Sequence, residues 1–577
     1  MGAVLEAHPS VIDGRLLVDW RARADRARSH LHWPGASAVA RPHAGGASLA
    51  IPAPHDQLFV ATEINEWALC SALLERDPTR WHGLQEALLQ ALLADASDPE
   101  SVIAPELEES AAFRRFERLA AAERRPALQP LIDAAAARDL PYTVDDTALT
   151  LGAGEGRRDF PVDDLPAAAQ VPWARLRDIP TAIVTGSNGK TTTVRLLAAC
   201  ARAHGWRASY SSTDGVFLDG EVVASGDYSG PAGTRMALRE PRAQAAILET
   251  ARGGILRRGL AVSRARVALV SNVSSDHFGE YGIYDLDALA DVKLTVGAVV
   301  PADGLLVLNA DDPLLVRKAD GLTRRFGHRP PLGWFALDAD LRPLADHRAA
   351  GGSASGVRGG RLVVSFRGHE DDLGSVSSMP LTVDGSATYN IANLAGSALA
   401  AVALGIPAET IASVFATFGG RAADNPGRLM QFDVGGVRVI LDYAHNAEGL
   451  RGLLTVAQHL RGGVGRLGIL LGHAGNRTDA DIRHLARVAA GFHPDLVVVK
   501  ENEGHLRGRE QGEVPKILRD ALLDAGLPEA ALPVRMTEVE AARCALDWAR
   551  PGDVLALLVH AQAARTQVLG MLERPAR

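Results

Sequence analysis

The sequence predicts an α/β chain in which an α+β unit is followed by two doubly wound, mainly parallel sheets. Three observations lead there. Short apolar strands alternate with helical patterns between about 176 and 422, at 182–184, 245–248, 267–270 and 305–308. This alternation marks a parallel sheet covered by helices on both faces. A second series of the same kind runs from about 424 to 577, with strands at 437–441, 467–471, 496–499 and 554–558. At 577 residues the chain is also too long for one hydrophobic core, and its length suits about three or four domains. The expected units are therefore 1–172, 176–422 and 424–577.

In the first unit an alternating stretch at 48–52 reads as a strand, and 63–74 and 83–94 read as amphipathic helices. Alanine-rich helical patterns continue to residue 137. Residues 140–151 form a hairpin pattern around Asp145-Asp146. Gly152-Ala-Gly-Glu-Gly156 resembles a nucleotide loop, but its third glycine is misplaced and no helix follows, so it reads as a turn. A proline-rich connection at 161–180 leads to the second unit. There, glycine-rich, hairpin-like sequence at 343–385 is expected to interrupt the sheet, and a helix at 390–404 to close the unit.

The second unit opens on Thr181-Ala-Ile-Val-Thr-Gly-Ser-Asn-Gly-Lys-Thr-Thr-Thr193, read as strand, glycine loop and helix start. Gly186 and Gly189 let the backbone approach a polyphosphate, and the N–H groups at the helix start point at it. Ser187, Asn188 and Thr192 lie in the same loop. Lys190 would neutralise β- and γ-phosphate charge, and the Thr191 hydroxyl suits Mg²⁺. An ordinary glycine turn before a helix is the plain alternative, but the flanking strand and helix are those a phosphate loop needs. Glu249 ends the strand 245–248 and His277 follows the strand 267–270, so both fall at carboxyl ends of strands, where ligands gather in open α/β sheets. Either could hold a divalent metal, or serve as a strand-end ion pair and a helix-start histidine.

Net charge −8 argues against a general nucleic-acid binder. No apolar run of 18 residues occurs, which argues against a membrane span. Cys70, Cys200 and Cys544 are scattered, with no metal-type spacing, and a cytoplasmic location is expected. Only five of the 61 basic residues are lysines, which makes each lysine worth inspecting.

Five strings occur in one order: Thr185-Gly-Ser-Asn-Gly-Lys-Thr-Thr192, Asn-x-x-x-Asp-His at 272–277, Leu308-Asn-Ala-Asp-Asp-Pro313, Asn390-Ile-Ala-Asn393 and Asp442-Tyr-Ala-His-Asn446. In that order the chain from about 180 onward resembles the Mur ligase superfamily. The resemblance implies a central phosphate-loop-type domain, a Rossmann-like C-terminal domain, and ATP-dependent coupling of a carboxylate to an amine through an acyl phosphate. More narrowly, Thr213-Asp-Gly215, Gly226-Asp-Tyr-Ser-Gly-Pro231, Glu249-Thr-Ala-Arg-Gly-Gly-Ile-Leu-Arg257, Asp479-Ala-Asp-Ile-Arg483 and Leu506-Arg-Gly-Arg509 resemble the ligase half of cyanophycin synthetases. Those enzymes join arginine to the β-carboxyl of an aspartate backbone. Residues 131–158 resemble the entry to their ATP-grasp domain, yet the chain then passes straight to the phosphate loop. The ATP-grasp unit, roughly 200–300 residues and more than a typical domain, is thus expected to be missing.

The resemblance implies roles for single residues. Lys190 and the loop amides would hold phosphate, with Thr191 and Glu249 on one Mg²⁺ and His277 on a second. Lys293 falls where many relatives carry a carbamylated lysine, the alternative being a helix-surface lysine; a carbamate would exchange a cation for a metal-ligating anion. Asn390 and Asn393 would face the nucleotide, or cap a helix. Arg428 would reach the γ-phosphate and Asp442 the ribose. His445 and Asn446 would face the cleft. Asp214, Asp227 and Arg252 could grip the acidic acceptor, Arg507 and Arg509 a carboxylate, and Glu501 and Glu503 a cationic amine, each with a surface ion pair as its alternative. Gly472-His-Ala-Gly-Asn-Arg477 departs from the Gly-Asp-Arg-Arg type of loop, which puts arginine as the amine in doubt. The reading is an ATP- and Mg²⁺-dependent amide ligase for a small-molecule or peptide carboxylate and an amino-acid-like amine. A folylpolyglutamate-synthase-like ligase and an inactive nucleotide-binding scaffold are its alternatives. The first unit could bind substrate, form a homo-oligomer, or do neither.

Overall fold

The computed structural model describes residues 2–8, 12–78, 107–275, 278–502 and 504–573. The expected helix at 83–94, His277 and Glu503 lie outside the described residues. The chain divides into two units: 1–179 with 252–263 and 279–289, and 180–251 with 264–278 and 290–577.

The first unit holds two small antiparallel sheets. Strands β1 (Gly2–Ala7), β2 (Val39–His43) and β3 (Gly46–Pro52) pair in the order β1-β3-β2. Helices Gly14–His30 and Leu58–Arg76 share a core with them. There the fully buried Trp20 donates its indole N–H to Asn65 Oδ1 at 3.0 Å, and the Asn65 amide donates to the Leu49 carbonyl at 2.8 Å. The polar atoms that burial would otherwise strand are thus paired. Strands β4 (Tyr142–Val144), β5 (Ala148–Leu151) and β6 (Arg158–Pro161) form the second sheet. Asp145 Oδ1 accepts from the N–H groups of Thr147 and Ala148, the side-chain turn that an aspartate favours.

Two segments from the expected central range, 252–263 and 279–289, belong to this first unit. Arg41 donates to the Tyr281 carbonyl at 2.9 Å, the Tyr142 N–H donates to Ser263 Oγ at 3.0 Å, and Arg252 pairs with Glu280 at 2.6 Å. Chain position alone could not reveal these partners.

The second unit carries two sheets. In the larger, the strands are β7 (Thr181–Thr185), β8 (Ala208–Ser212), β9 (Gly215–Leu218), β10 (Glu221–Ser225), β11 (Ala245–Glu249), β12 (Val267–Val270), β13 (Leu305–Asn309), β14 (Leu332–Asp338), β15 (Ser353–Arg358), β16 (Arg361–Phe366) and β17 (His369–Ser375). Their order is β10-β9-β8-β11-β7-β12-β13-β14-β15-β16-β17, with parallel pairing from β8 to β15 and antiparallel strands at both ends. The β7 strand lies centrally and is buried throughout, as parallel strands covered on both faces must be. The glycine-rich stretch does not interrupt the sheet; it extends it. Gly359 and Gly360, at φ +57° and +74°, turn β15 back into β16.

The smaller sheet holds β18 (Met430–Val434), β19 (Val437–Asp442), β20 (Leu467–Leu471), β21 (Leu496–Lys500), β22 (Val534–Arg535) and β23 (Val554–Leu558), in the order β18-β19-β23-β20-β21-β22. All neighbours are parallel except β18 and β19. Among the described residues no helix is long and apolar enough to cross a membrane.

Candidate active site

The order of strands decides what surrounds the glycine loop. Because β11 and β12 flank β7, their carboxyl ends deliver Glu249 to one side of the loop and 271–274 to the other. Gly189 adopts φ +84° as the cap of helix Lys190–Ala203, a conformation that glycine takes at little cost. A Cβ there would overlap Asn393 Oδ1 from helix Thr388–Leu404.

On the β11 side, Glu249 is fully buried. One carboxylate oxygen accepts from the Thr191 hydroxyl and the other from the Thr213 hydroxyl, each at 2.9 Å. Hydroxyls and a carboxylate are the hard oxygen donors that Mg²⁺ takes, usually few in number because phosphate and water supply the rest. Among the described residues no three His, Cys, Asp or Glu side chains cluster at metal spacing. The donor set fits Mg²⁺ bound together with phosphate. Lys190 folds over the loop and donates to the carbonyls of Gly186 and Ser187, both at 3.1 Å.

The loop after β12 clamps the other side. Asn272 Oδ1 accepts from the Asn188 N–H at 2.9 Å, and Asn272 Nδ2 donates to the Asn188 carbonyl at 3.1 Å. Ser271 Oγ donates to that same carbonyl, and Ser187 Oγ exchanges two hydrogen bonds with Ser274. Asn390 Nδ2 donates to the Leu381 carbonyl, and Asn393 Nδ2 donates to Asn390 Oδ1.

The C-terminal sheet meets this loop directly. Asn446 caps helix Ala447–Arg461 through Oδ1, and its Nδ2 donates to Asn188 Oδ1 at 2.9 Å. Asp442, the last residue of β19, accepts from the N–H groups of Leu429 (2.6 Å) and Ala444 (2.7 Å). Burial pushes its pKa up, against the pull of the Arg428 guanidinium and those amides. Arg428 stacks on the Tyr443 ring at 4.2 Å. The Arg428 Nε is buried without a partner. His445 Nδ1 lies 3.3 Å from the Tyr443 carbonyl. A cavity of about 350 Å³ opens beside Arg428, lined also by Leu381, Asn425, Leu429 and Met430.

Arg195, on helix Lys190–Ala203, ties the turn after β8 to the segment that leads into β18. It donates to Asn425 Oδ1 and the Pro426 carbonyl, both at 2.9 Å, and to Asp214 at 2.7 Å. Burial lowers its pKa, and Asp214 opposes that shift. Arg565 lies 3.6 Å from Asp214, and Asn425 Nδ2 donates to Thr192 Oγ1 at 3.3 Å.

The expected substrate residues part ways. Asp214 is engaged by two arginines. Asp227 is exposed and accepts from Ser229 N and Oγ. Arg252 pairs with Glu280 in the first unit. Arg509 is taken up by Asp479, Glu513 and the carbonyls of Gly475 and Arg477, whereas Arg507 is exposed at φ +46°. Glu501 is buried and accepts from the Gly512 N–H. Lys293 is 3% exposed, so it is not a helix-surface lysine. Sequence reasoning missed Thr213, Asn272, Ser274, Arg195 and Asn425. Thr213, Asn272 and Ser274 stood within strings already noted, but nothing local marked Arg195 and Asn425.

Residues 184–338 match the family model of the Mur ligase middle domain, and 427–558 that of the Mur ligase, glutamate ligase domain. The cyanophycin synthetase of Synechocystis sp. is 36% identical over 369 residues, 64% of this chain and 41% of that protein. The chain thus spans about two fifths of the curated cyanophycin synthetases it matches. A UDP-N-acetylmuramoyl-L-alanyl-D-glutamate–2,6-diaminopimelate ligase of Corynebacterium efficiens is 26% identical over 423 residues, 69% of this chain and 73% of that protein. The structure of E. coli FolC in complex with DHPP and ADP shares the fold, with TM-score 0.50 at 18% identity over 68% of this chain and 88% of FolC.

Proposed function

We propose that this chain, which carries the middle and glutamate ligase domains of the Mur ligase family, is an ATP-dependent ligase that joins a carboxylate to an amine. The supporting observation is the Asn446–Asn188 hydrogen bond, which brings the C-terminal domain onto the loop that leads into Lys190 and Thr191, beside Glu249 from β11. A phosphate loop that only bound nucleotide would not need a second domain there.

In this reading a substrate carboxylate oxygen attacks the γ-phosphorus, the bond to the β-phosphate bridging oxygen breaks, and ADP leaves. The amine nitrogen then attacks the acyl carbon, a proton leaves the nitrogen, and the C–O bond breaks to release phosphate. Such transfers depend on positioning and charge neutralisation more than on a protein nucleophile. Lys190 and the loop amides offset phosphate charge. Thr191 and Glu249 would hold Mg²⁺, which when bound supplies further charge neutralisation at the phosphates. Arg428 and Asp442 would bring γ-phosphate and ribose contacts from the C-terminal domain. Closure of that domain excludes water from the acyl phosphate. By the family resemblance His277 would hold a second Mg²⁺, and a carbamate on Lys293, itself 3% exposed, would supply a buried anion.

The finer reading is an aspartyl side-chain carboxylate joined to an arginine-like amine, supported by the 36% identity to a cyanophycin synthetase across the ligase region. A pairwise screen of carboxylates and amines for ADP release, with mass spectrometry of the product, tests both levels. ADP release requiring both partners supports the ligase. Glutamate addition to a folate would move it to the folylpolyglutamate type, and nucleotide binding without turnover under any pairing would leave a scaffold.

A further inference from the structure

The C-terminal sheet buries a group of ionisable side chains that the proposed chemistry leaves unused. Lys500 ends β21, Glu538 begins helix Glu538–Trp548, and His560 follows β23. Their exposures are 0%, 0% and 9%. Lys500 Nζ donates to Glu538 Oε1 at 2.6 Å and to Asn502 Oδ1 at 2.7 Å, and lies 3.3 Å from His560 Nδ1. Glu538 also accepts from the N–H groups of His560 (3.0 and 3.1 Å) and Ala561 (2.8 Å). Burying an ion pair is costly unless its remaining lone pairs and protons are satisfied, and here they are.

The ring of His560 has one orientation consistent with these neighbours. Its Nε2 lies 3.1 Å from the Ala444 carbonyl, which can only accept, so Nε2 carries the proton. A neutral imidazole then presents the lone pair of Nδ1, and the Lys500 ammonium donates to it. Burial first, and Lys500 second, push the His560 pKa down to about 4, which keeps the ring neutral. The His560–Nδ1 to Glu538 approach of 3.3 Å is then a consequence of both groups facing one ammonium.

Ala444 is the middle of the loop that reaches the phosphate site. Its N–H donates to Asp442, and two residues on Asn446 donates to Asn188. The Tyr443 ring stands edge-on to His560 at 5.1 Å while Arg428 lies over it. We propose that Lys500, Glu538 and His560 form a positioning triad, in which the lysine and glutamate hold His560 as the Nε2–H tautomer so that it anchors the Ala444 carbonyl, fixes the 442–446 loop and sets where Asn446 meets the phosphate loop. The consequence for nucleotide binding rests on the ligase reading; the hold on the loop does not.

The test uses the full chain, with His560→Phe, His560→Gln and Lys500→Met. Gln keeps an N–H donor for the Ala444 carbonyl, and Phe keeps the ring without one. Hydrogen–deuterium exchange read by mass spectrometry should rise about tenfold in the peptide spanning 442–446 for His560→Phe, the effect of one lost hydrogen bond, and recover in His560→Gln. Binding of the fluorescent probe mant-ADP should weaken about tenfold in His560→Phe, return to within about threefold of wild type in His560→Gln, and weaken in Lys500→Met. Exchange that rises evenly over the whole C-terminal domain would reduce the triad to a packing element and overturn the proposal. So would unchanged exchange and binding in His560→Phe, or a His560→Gln variant no better than it. A wild-type chain that ignores mant-ADP, while exchange at 442–446 still follows His560, would overturn the nucleotide reading and uphold the anchor.

Discussion

Arg195→Met tests the joint between the two domains most directly. The wild-type side chain makes three hydrogen bonds of 2.7–2.9 Å, to Asp214, Asn425 Oδ1 and the Pro426 carbonyl, from a position only 6% exposed. Bonds to a charged group contribute about 1.5–3 kcal/mol each, which bounds the loss at about 5–9 kcal/mol. Two features lower it. Asp214 keeps Arg565 at 3.6 Å, and methionine retains much of the buried packing. The expected cost is therefore about 3–5 kcal/mol, the range for breaking a buried pair by removing one partner. Urea unfolding of the full chain by circular dichroism should show the midpoint fall with an unchanged slope. The Asp214→Asn cycle should return a coupling of about 0.5–3 kcal/mol. Because Asn425 and Pro426 lie just before Arg428, the variant should also raise KM for ATP more than it lowers kcat. A loss below about 1 kcal/mol, or no coupling to Asp214, would refute the reasoning.

Lys190→Ala should fold normally, since the side chain bonds only to its own loop, and lose about 10²–10³ in turnover, the usual effect of removing one preorganised donor; near-wild-type ADP release would contradict its assignment. Gly189→Ala meets both the left-handed backbone and Asn393 Oδ1, so it should cost at least about 1–2 kcal/mol and abolish mant-ADP binding, with a fully competent variant excluding the proposed geometry. His560, whose pKa falls from its ordinary 6.5 to about 4 on folding, binds fewer protons folded than unfolded between those values. Stability should therefore decline as pH drops through that window, and the slope should flatten in His560→Phe. Burial works to raise the Glu538 carboxyl, but the Lys500 ammonium beside it outweighs that and holds its pKa well down, so it adds to the same acid-side loss below its ordinary value of 4.5. A carbamate on Lys293 predicts an intact mass raised by one carboxylate in bicarbonate buffer, and partial rescue of Lys293→Ala by small carboxylates; an unmodified, carboxylate-insensitive protein would dismiss it.

Local periodicity was enough to place four strands of the central sheet and four of the C-terminal one. The strands 267–270, 467–471 and 554–558 match their observed bounds because a parallel strand buried on both faces must be written as a continuous apolar run. The glycine loop was equally legible, since a left-handed helix cap beside a phosphate site restricts residue choice locally. The strands β8–β10 were not, because β8 is serine-rich although buried and β10 is exposed, so neither writes a continuous apolar run. Pairings between distant residues could be settled only by tertiary structure. Asp214 and Arg509 carry charges that suit a substrate carboxylate or an ion pair equally well, and only the fold shows them matched to Arg195 and Asp479. Lys500 reads as one more residue closing an apolar run until β21, β23 and the helix from Glu538 converge. A charge in a sequence declares what it can bind, but its partner is chosen by the order in which strands and helices pack, which brings together residues that lie tens of positions apart, as with Lys500 and Glu538.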